Sequence, residues 1–278
     1  MTGVEKINVL KKRYRAAAIL LRELVATDFK LRYQGSVLGY AWSLLKPLFM
    51  FAILYSVFTL VFKIGKGVPN FPVYLLLGIV LWSFFTEMTQ QSLTSIVARG
   101  DLIRKIRIPR WLIIVSVSIG ALINLTLNMI VVFVIALISG MDFPITSLWL
   151  PFFIVHIYVF ALGLSLILSA LYVKYRDMSY VWDIVLQAGF YATPIIYPIT
   201  VSTNLITNEN VLKLLYLNPA AQSIQGARNA FVTSETLTIG EVWDNSYAVL
   251  LPILVTVVFL IIGFIYFRRE AKDFAENL

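Results

Sequence analysis

Cysteine is absent from this 278-residue sequence, and charge is scarce. Without cysteine there is no disulfide and no thiolate metal site. The one histidine, His156, has no second histidine to build a metal centre with. Charged residues make up only 14% of the chain and hydrophobic ones 59%, against about 25% and 45–50% in an ordinary soluble domain. A soluble core of this length cannot hide that much apolar surface, so lipid must solvate much of the chain. A G-x-x-x-x-G-K loop followed by Ser or Thr is also missing, and the stretch from Ile64 to Gly67 has the wrong spacing for one. ATP binding of the P-loop kind is therefore not expected of this chain. Ionisable residues inside the apolar runs are few, mainly Glu87, His156 and Asp183. Ion-coupled carriers usually need more, so the driving force is expected on another chain.

What is present is a series of charge-free runs near the length of about 20 residues that a membrane helix needs. They cover Pro47 to Phe62, Gly67 to Thr86 with a continuation to Ala98, Trp111 to Met141, Phe143 to Val173, Ile184 to about Pro198, and Asn245 to Phe267. The expected fold is all-α, with one membrane domain (34–267) of six spans between a polar tail with an interface helix (1–33) and a short second tail (268–278). No apolar stretch with a small-residue cleavage site follows Met1 to Arg15, so no cleaved signal peptide is expected.

The net charge of +8 would suggest nucleic acid in a soluble protein. Here it reads as topology, because cytoplasmic loops collect Lys and Arg. With both ends inside, inside segments hold 19 of the 23 basic residues and outside loops hold only Lys63, Lys66, Lys213 and Arg228. No nucleic-acid partner is expected.

Three segments are not simple spans. From Ala16 to Tyr33, Leu20, Leu21, Leu24, Val25, Phe29 and Leu31 share one helical arc, and Arg22, Glu23, Thr27 and Lys30 lie opposite. That pattern predicts a helix lying in the membrane interface. Asp28 and Arg32 stand four apart with the acid first, the favourable order for a helical ion pair. The second segment, Arg99 to Arg110, carries five basic residues and one acid. It is either a topological anchor or a docking helix for a partner, and Asp101, Leu102 and Ile103 favour docking, since an anchor needs no apolar centre. The third, Thr200 to Asp244, contains a moderately apolar stretch broken at Asn218-Pro219, where proline disfavours helix at the preceding residue. It predicts two short helices dipping back toward the membrane, which is tolerated only where backbone is buried in protein or lines a water-filled cavity.

The stretch from Asp28 to Pro47 resembles the permease subunits of ABC exporters for polysaccharides, through Arg32, Tyr33, Ser36, Leu38, Gly39, Trp42 and Pro47. Two further stretches are similar to that family. Leu102 to Pro109 matches the segment after the second span, with Ile108 where an aromatic is usual. Tyr175-Arg176-Asp177, Thr193-Pro194-Ile195, Tyr197 and Leu217-Asn218-Pro219 match the second half.

The resemblance implies a homodimeric channel in the bacterial cytoplasmic membrane, a separate cytoplasmic ABC ATPase dimer that binds ATP and Mg, and a lipid-linked glycan as substrate. No cofactor or metal is implied for the chain itself, which would not be an enzyme on its own. Arg99, Asp101, Leu102, Ile103, Arg104, Lys105 and Arg107, with Tyr175, Arg176 and Asp177, would couple to the ATPase. Arg32, Tyr33, Ser36 and Trp42 would meet the lipid diphosphate at the cytoplasmic entrance, although Arg32 has Asp28 as an alternative partner. Phe51, Tyr55, Phe58 and Phe62 form one stripe along the first span, which Tyr191 and Tyr197 would face across a glycan path; packing against neighbouring helices is the other reading. Gly35 and Gly39 suit a bend together with close helix packing. Glu87 and His156 read as buried structural hydrogen-bonding groups. The rival functions are an ABC exporter of drugs or small lipids and a stand-alone secondary transporter.

Overall fold

Wherever the charge-free runs lie, the chain is helical, because a helix satisfies every backbone group from within its own segment. The computed structural model describes residues 15, 17–28, 30, 35–36, 38–63, 67–105, 109–200, 206 and 208–277. α1 covers 17–28. It is followed by α2 (Ala41–Ser56, extended by a π-turn at Val57–Val61), α3 (Phe71–Ala98), α4 (Gly100–Lys105) and α5 (Trp111–Ile138). Next come α6 (Leu150–Lys174, led by a 3-10 turn at Ile145–Trp149), α7 (Met178–Ala192), α8 (Glu209–Leu217) and α9 (Pro219–Phe231). The chain closes with α10 (Ile239–Val242), a 3-10 turn at Ser246–Val249, α11 (Leu250–Glu270) and α12 (Phe274–Asn277).

Five segments have the length and composition to cross a membrane: Ala41–Val61, Phe71–Ala98, Trp111–Ile138, Ile145–Lys174 and Ser246–Glu270. The protein is an all-α integral membrane protein. The six continuous spans expected from the sequence become five and one broken segment. α7 has 15 residues, about 22 Å at 1.5 Å per residue, and stops where Thr193 turns extended (φ −80°, ψ 136°) ahead of Pro194. Irregular chain carries on to Thr200. The whole stretch runs antiparallel to α3. Trp182 Nε1 donates to Thr89 Oγ1 at 3.1 Å, Gln90 Nε2 donates to Asp183 Oδ1 at 2.7 Å, and Ile199 N donates to the Tyr74 hydroxyl at 3.3 Å. From Gln90 to Tyr74 is about 24 Å of helix.

α3 is the central helix, packed against α2, α5, α6, α7 and α9. Residues from Val73 to Leu81 are all buried, and their apolar side chains form the main core. α6 and α11 meet glycine to glycine. A Cβ on Gly263 would lie 2.4 Å from Gly163 O, and one on Gly163 would lie 2.8 Å from Leu260 N. This is close approach through small residues, the usual device where lipid removes any hydrophobic drive between helices. Gly35 and Gly39 do something else. Both have positive φ (77° and 49°), and among the described residues nothing stands within 4 Å of an added Cβ. They make the bend into α2, and no described residue packs closely against them.

The two short helices expected around Asn218-Pro219 are α8 and α9. Asn208 and Asn218 cap them, accepting from Asn210 N and Ala220 N, each at 3.0 Å. Pro219 takes the first helical position, where no N–H is needed. α9 buries twelve of its 13 residues, although many are polar.

Candidate functional site

A cleft of about 630 Å³ opens between α2, α3, α5 and α7. α3 lines it with Ser83, Thr86, Glu87, Gln90 and Gln91, residues that helical spacing places along one face. α5 adds Asn124 and Asn128, α7 adds Phe190, and α2 adds Trp42, Lys46, Met50 and Ile53. Glu87 Oε1 accepts from Asn124 Nδ2 at 2.6 Å and from Gln91 Nε2 at 3.1 Å. Asn128 Nδ2 donates to Ser43 O at 3.2 Å and ties the start of α2 to α5. Glu87 thus sits in a side-chain hydrogen-bond network, at the wall of an open cleft.

The aromatic stripe has its own geometry. Phe51 and Tyr55 stack at 5.5 Å, Tyr55 meets Phe71 at 6.2 Å, and Phe58 meets Phe62 at 5.5 Å. Phe51, Tyr55 and Phe58 are half-buried against the main core, and Phe62 is exposed. Tyr191 is exposed, and the Tyr197 hydroxyl reaches back to Tyr191 O and Ala192 O at 3.4 and 3.3 Å. Among the described residues no ring pair joins the stripe to either tyrosine. Trp42 is 48% exposed. Ser36 Oγ accepts from Gly39 N at 3.1 Å at the bend. Arg32, Tyr33 and Arg107 lie outside the described residues.

At the opposite end of α3 from Tyr74, α4 follows directly. Asp101, Arg104 and Lys105 are exposed, Leu102 is half-buried, and Ile103 is 8% exposed. Ile103 turns inward, into a cluster with Ile96, Ile113, Val173, Phe267 and Phe274. Of the two apolar residues in α4, only Leu102 is left open to a partner. Tyr175, Arg176 and Asp177 form an exposed turn at the end of α6, with the Arg176 guanidinium 5.3 Å from the Tyr172 ring. Lys174 Nζ pairs with Glu270 at 2.6 Å and fastens that turn to the end of α11. Asp28 pairs with Arg99, whose Nη1 also donates to Ser116 Oγ at 2.9 Å. α1 is thereby tied to the residue just before α4.

Two buried polar hubs hold the far side together. His156 lies between Ser223 Oγ (2.9 Å to Nδ1) and Thr256 Oγ1 (3.0 Å to Nε2), joining α6, α9 and α11. Arg228, counted above in an outside segment, is wholly buried in protein. Its Nε donates to Tyr74 O at 2.9 Å, Nη2 to Ile195 O at 2.7 Å and Nη1 to Pro194 O. The guanidinium lies 3.9 Å from the Tyr74 ring centre, and no carboxylate pairs with it among the described residues. It satisfies the carbonyls freed where α7 breaks. The one signal for it in the sequence is the nearby Thr193-Pro194 break, which must leave carbonyls without helical partners.

The sequence signature of the ABC-2 type transporter family matches residues 19–232. An O-antigen export system permease protein RfbA from Myxococcus xanthus is 28% identical over 274 residues, covering 98% of this chain and 100% of the relative. One of the same description from Klebsiella pneumoniae is 28% identical over 272 residues, covering 97% and 99%. The signature spans most of α1, the cleft, α4 and α9 alike, and the chain belongs to the ABC-2 type transporter family.

Proposed function

We propose that this chain is the channel-forming transmembrane subunit of an ATP-driven exporter that moves a lipid-linked polysaccharide across the bacterial cytoplasmic membrane. The observation that carries it is end-to-end similarity to two O-antigen export permeases, with family membership beneath it. The broken α7 segment supports six crossings with both ends cytoplasmic, since it runs beside α3 for nearly the depth of a bilayer. α4 and the 175–177 turn then stand on the cytoplasmic side, where an ATPase dimer carrying ATP and Mg docks. α2 and α7 leave broad faces uncovered, with Phe49, Ile53, Leu60, Val181 and Ile184 exposed. A second copy of the chain across those faces closes the channel.

Removal of this chain from its own host tests the proposal. Surface glycan should disappear and lipid-linked glycan should build up on the cytoplasmic side. Normal surface glycan would overturn it.

A further inference from the structure

Side chains that combine amides, hydroxyls and a carboxylate are uncommon inside a membrane helix, because each costs free energy there unless it has a partner or a use. The α3 stripe in the cleft goes beyond what helix stitching needs. Glu87, Gln91 and Asn124 bond one another. Thr86 Oγ1 and Asn124 Oδ1, in the same floor, have no partner among the described residues, and Asn124 is only 2% exposed. Ser83 also faces the cleft and is half-buried. Trp42, on the opposite side, is 48% exposed with its ring open to a ligand. Lys46, one turn further along α2, brings an ammonium to the same space.

A polar floor, an aromatic wall and one cation make a recognisable chemical combination. Ring hydroxyls need donors and acceptors together, which amides and a carboxylate supply. The C–H faces of a sugar ring suit an indole. A lysine ammonium binds phosphate as a point charge. A purely hydrocarbon ligand would leave the floor unsatisfied, and a free anion would have no use for the wall.

We propose that this cleft binds the sugar ring next to the phosphate of the lipid carrier, with Thr86 and Glu87 reading its hydroxyls and Lys46 reading the phosphate. This rests on the export function proposed above and adds to it a specificity site by residue. Thr86 supplies the open capacity. Neighbouring atoms cover both unpartnered oxygens; Asn124 therefore serves by holding Glu87 from behind, and the hydroxyl of Thr86, a half-buried residue lining the cleft, turns outward on binding.

The test uses the intact complex with its ATPase in nanodiscs, without nucleotide. Three probes are compared: a polyprenyl-diphosphate-linked trisaccharide, the polyprenyl diphosphate without sugar, and the soluble trisaccharide. The linked trisaccharide should bind best, by about tenfold over either part alone. Thr86→Val should weaken the linked trisaccharide about three- to tenfold more than the sugar-free lipid, the range set by one lost hydrogen bond. Its melting point should not fall, because the hydroxyl has no internal partner to lose. Lys46→Gln should weaken both phosphate-bearing probes. Ser83→Trp should block the cleft and abolish binding of the linked trisaccharide while the complex still purifies whole.

Wild-type binding of the linked trisaccharide by both Thr86→Val and Ser83→Trp would overturn the site and leave the export function standing. If the unaltered complex neither binds nor exports any linked glycan, the export function fails and this site falls with it.

Discussion

Arg228→Met removes a buried cation and leaves its three carbonyl partners in place. Replacing a whole buried polar network by apolar groups of similar size can be nearly neutral, since the cost of burying the charge disappears too. Here only one side of the network goes. Tyr74 O and Ile195 O lose the guanidinium, while Pro194 O keeps Gln225 Nε2 at 3.3 Å. Two of the three carbonyls belong to the break after α7, where no helix supplies an alternative donor. Each buried carbonyl left open costs about 1–3 kcal/mol. The lost cation–π contact with Tyr74 adds about 1–2 kcal/mol, and relief of the buried charge offsets part of the sum. Tyr74 O keeps its backbone N–H partner within α3, so only Ile195 O is left open. A net loss of about 2–3 kcal/mol follows, which lowers the melting midpoint by about 4–12 °C at the scale of large domains. Arg228→Lys restores a charge without the planar fork, and should fall between the two. Tyr74→Phe removes one hydroxyl that bridges Ile199 N and Gln225, and should cost only about 1 kcal/mol. Thermal unfolding of the detergent-purified complex reads all three. An Arg228→Met protein that melts within about 2 °C of wild type would refute the reasoning.

The Asp28–Arg99 pair should show a coupling energy of about 1–2 kcal/mol in a double-mutant cycle on stability, between the values for exposed and buried pairs. The exchange Asp28→Arg with Arg99→Asp should recover part of the export that either single change removes, and no recovery would deny the pair a role. Leu102→Asp should release the ATPase on co-purification while the permease still inserts, whereas Ile103→Asp should damage the chain's own fold, because Ile103 is buried in its own cluster. Retention of the ATPase by Leu102→Asp would return α4 to a topological anchor. Tyr55→Ala and Phe58→Ala should lower glycan exported per ATP hydrolysed if the stripe is a path. If the rings serve packing alone, folded yield should fall instead, as large-to-small core changes cost about 3–5 kcal/mol in soluble proteins.

The spans were legible because lipid imposes one strong rule, a long charge-free run. Trp111 begins both the third run and α5, and the fourth run ends at Val173, one residue before α6 does. The pair of short helices was legible from Asn218-Pro219, since the proline acts locally. The break after α7 had a local signal as well, in Pro194, but the apolar run continues past it to about Pro198 and masked it. Arg228 could not be placed from its neighbours. α9 has the polarity of an aqueous loop, and only tertiary packing against α3, α6 and the broken segment buries it. The Asp28 partner was hidden for a related reason. Helical spacing offers Arg32, which lies outside the described residues, and nothing local announces Arg99, which the fold delivers from 71 residues away in sequence. The cleft was visible in part. Glu87 stood out, but its companions Thr86, Gln91 and Asn124 are ordinary polar residues until two helices bring them together.

Proteoliposomes holding this chain and its ATPase, loaded from outside with a lipid-diphosphate-linked glycan, give the most direct measurement. Glycan should become protected inside the vesicles only when ATP is supplied to the face carrying the ATPase, and neither chain alone should move it. Translocation by this chain alone, driven by an ion gradient without ATP or the partner, would contradict the assignment.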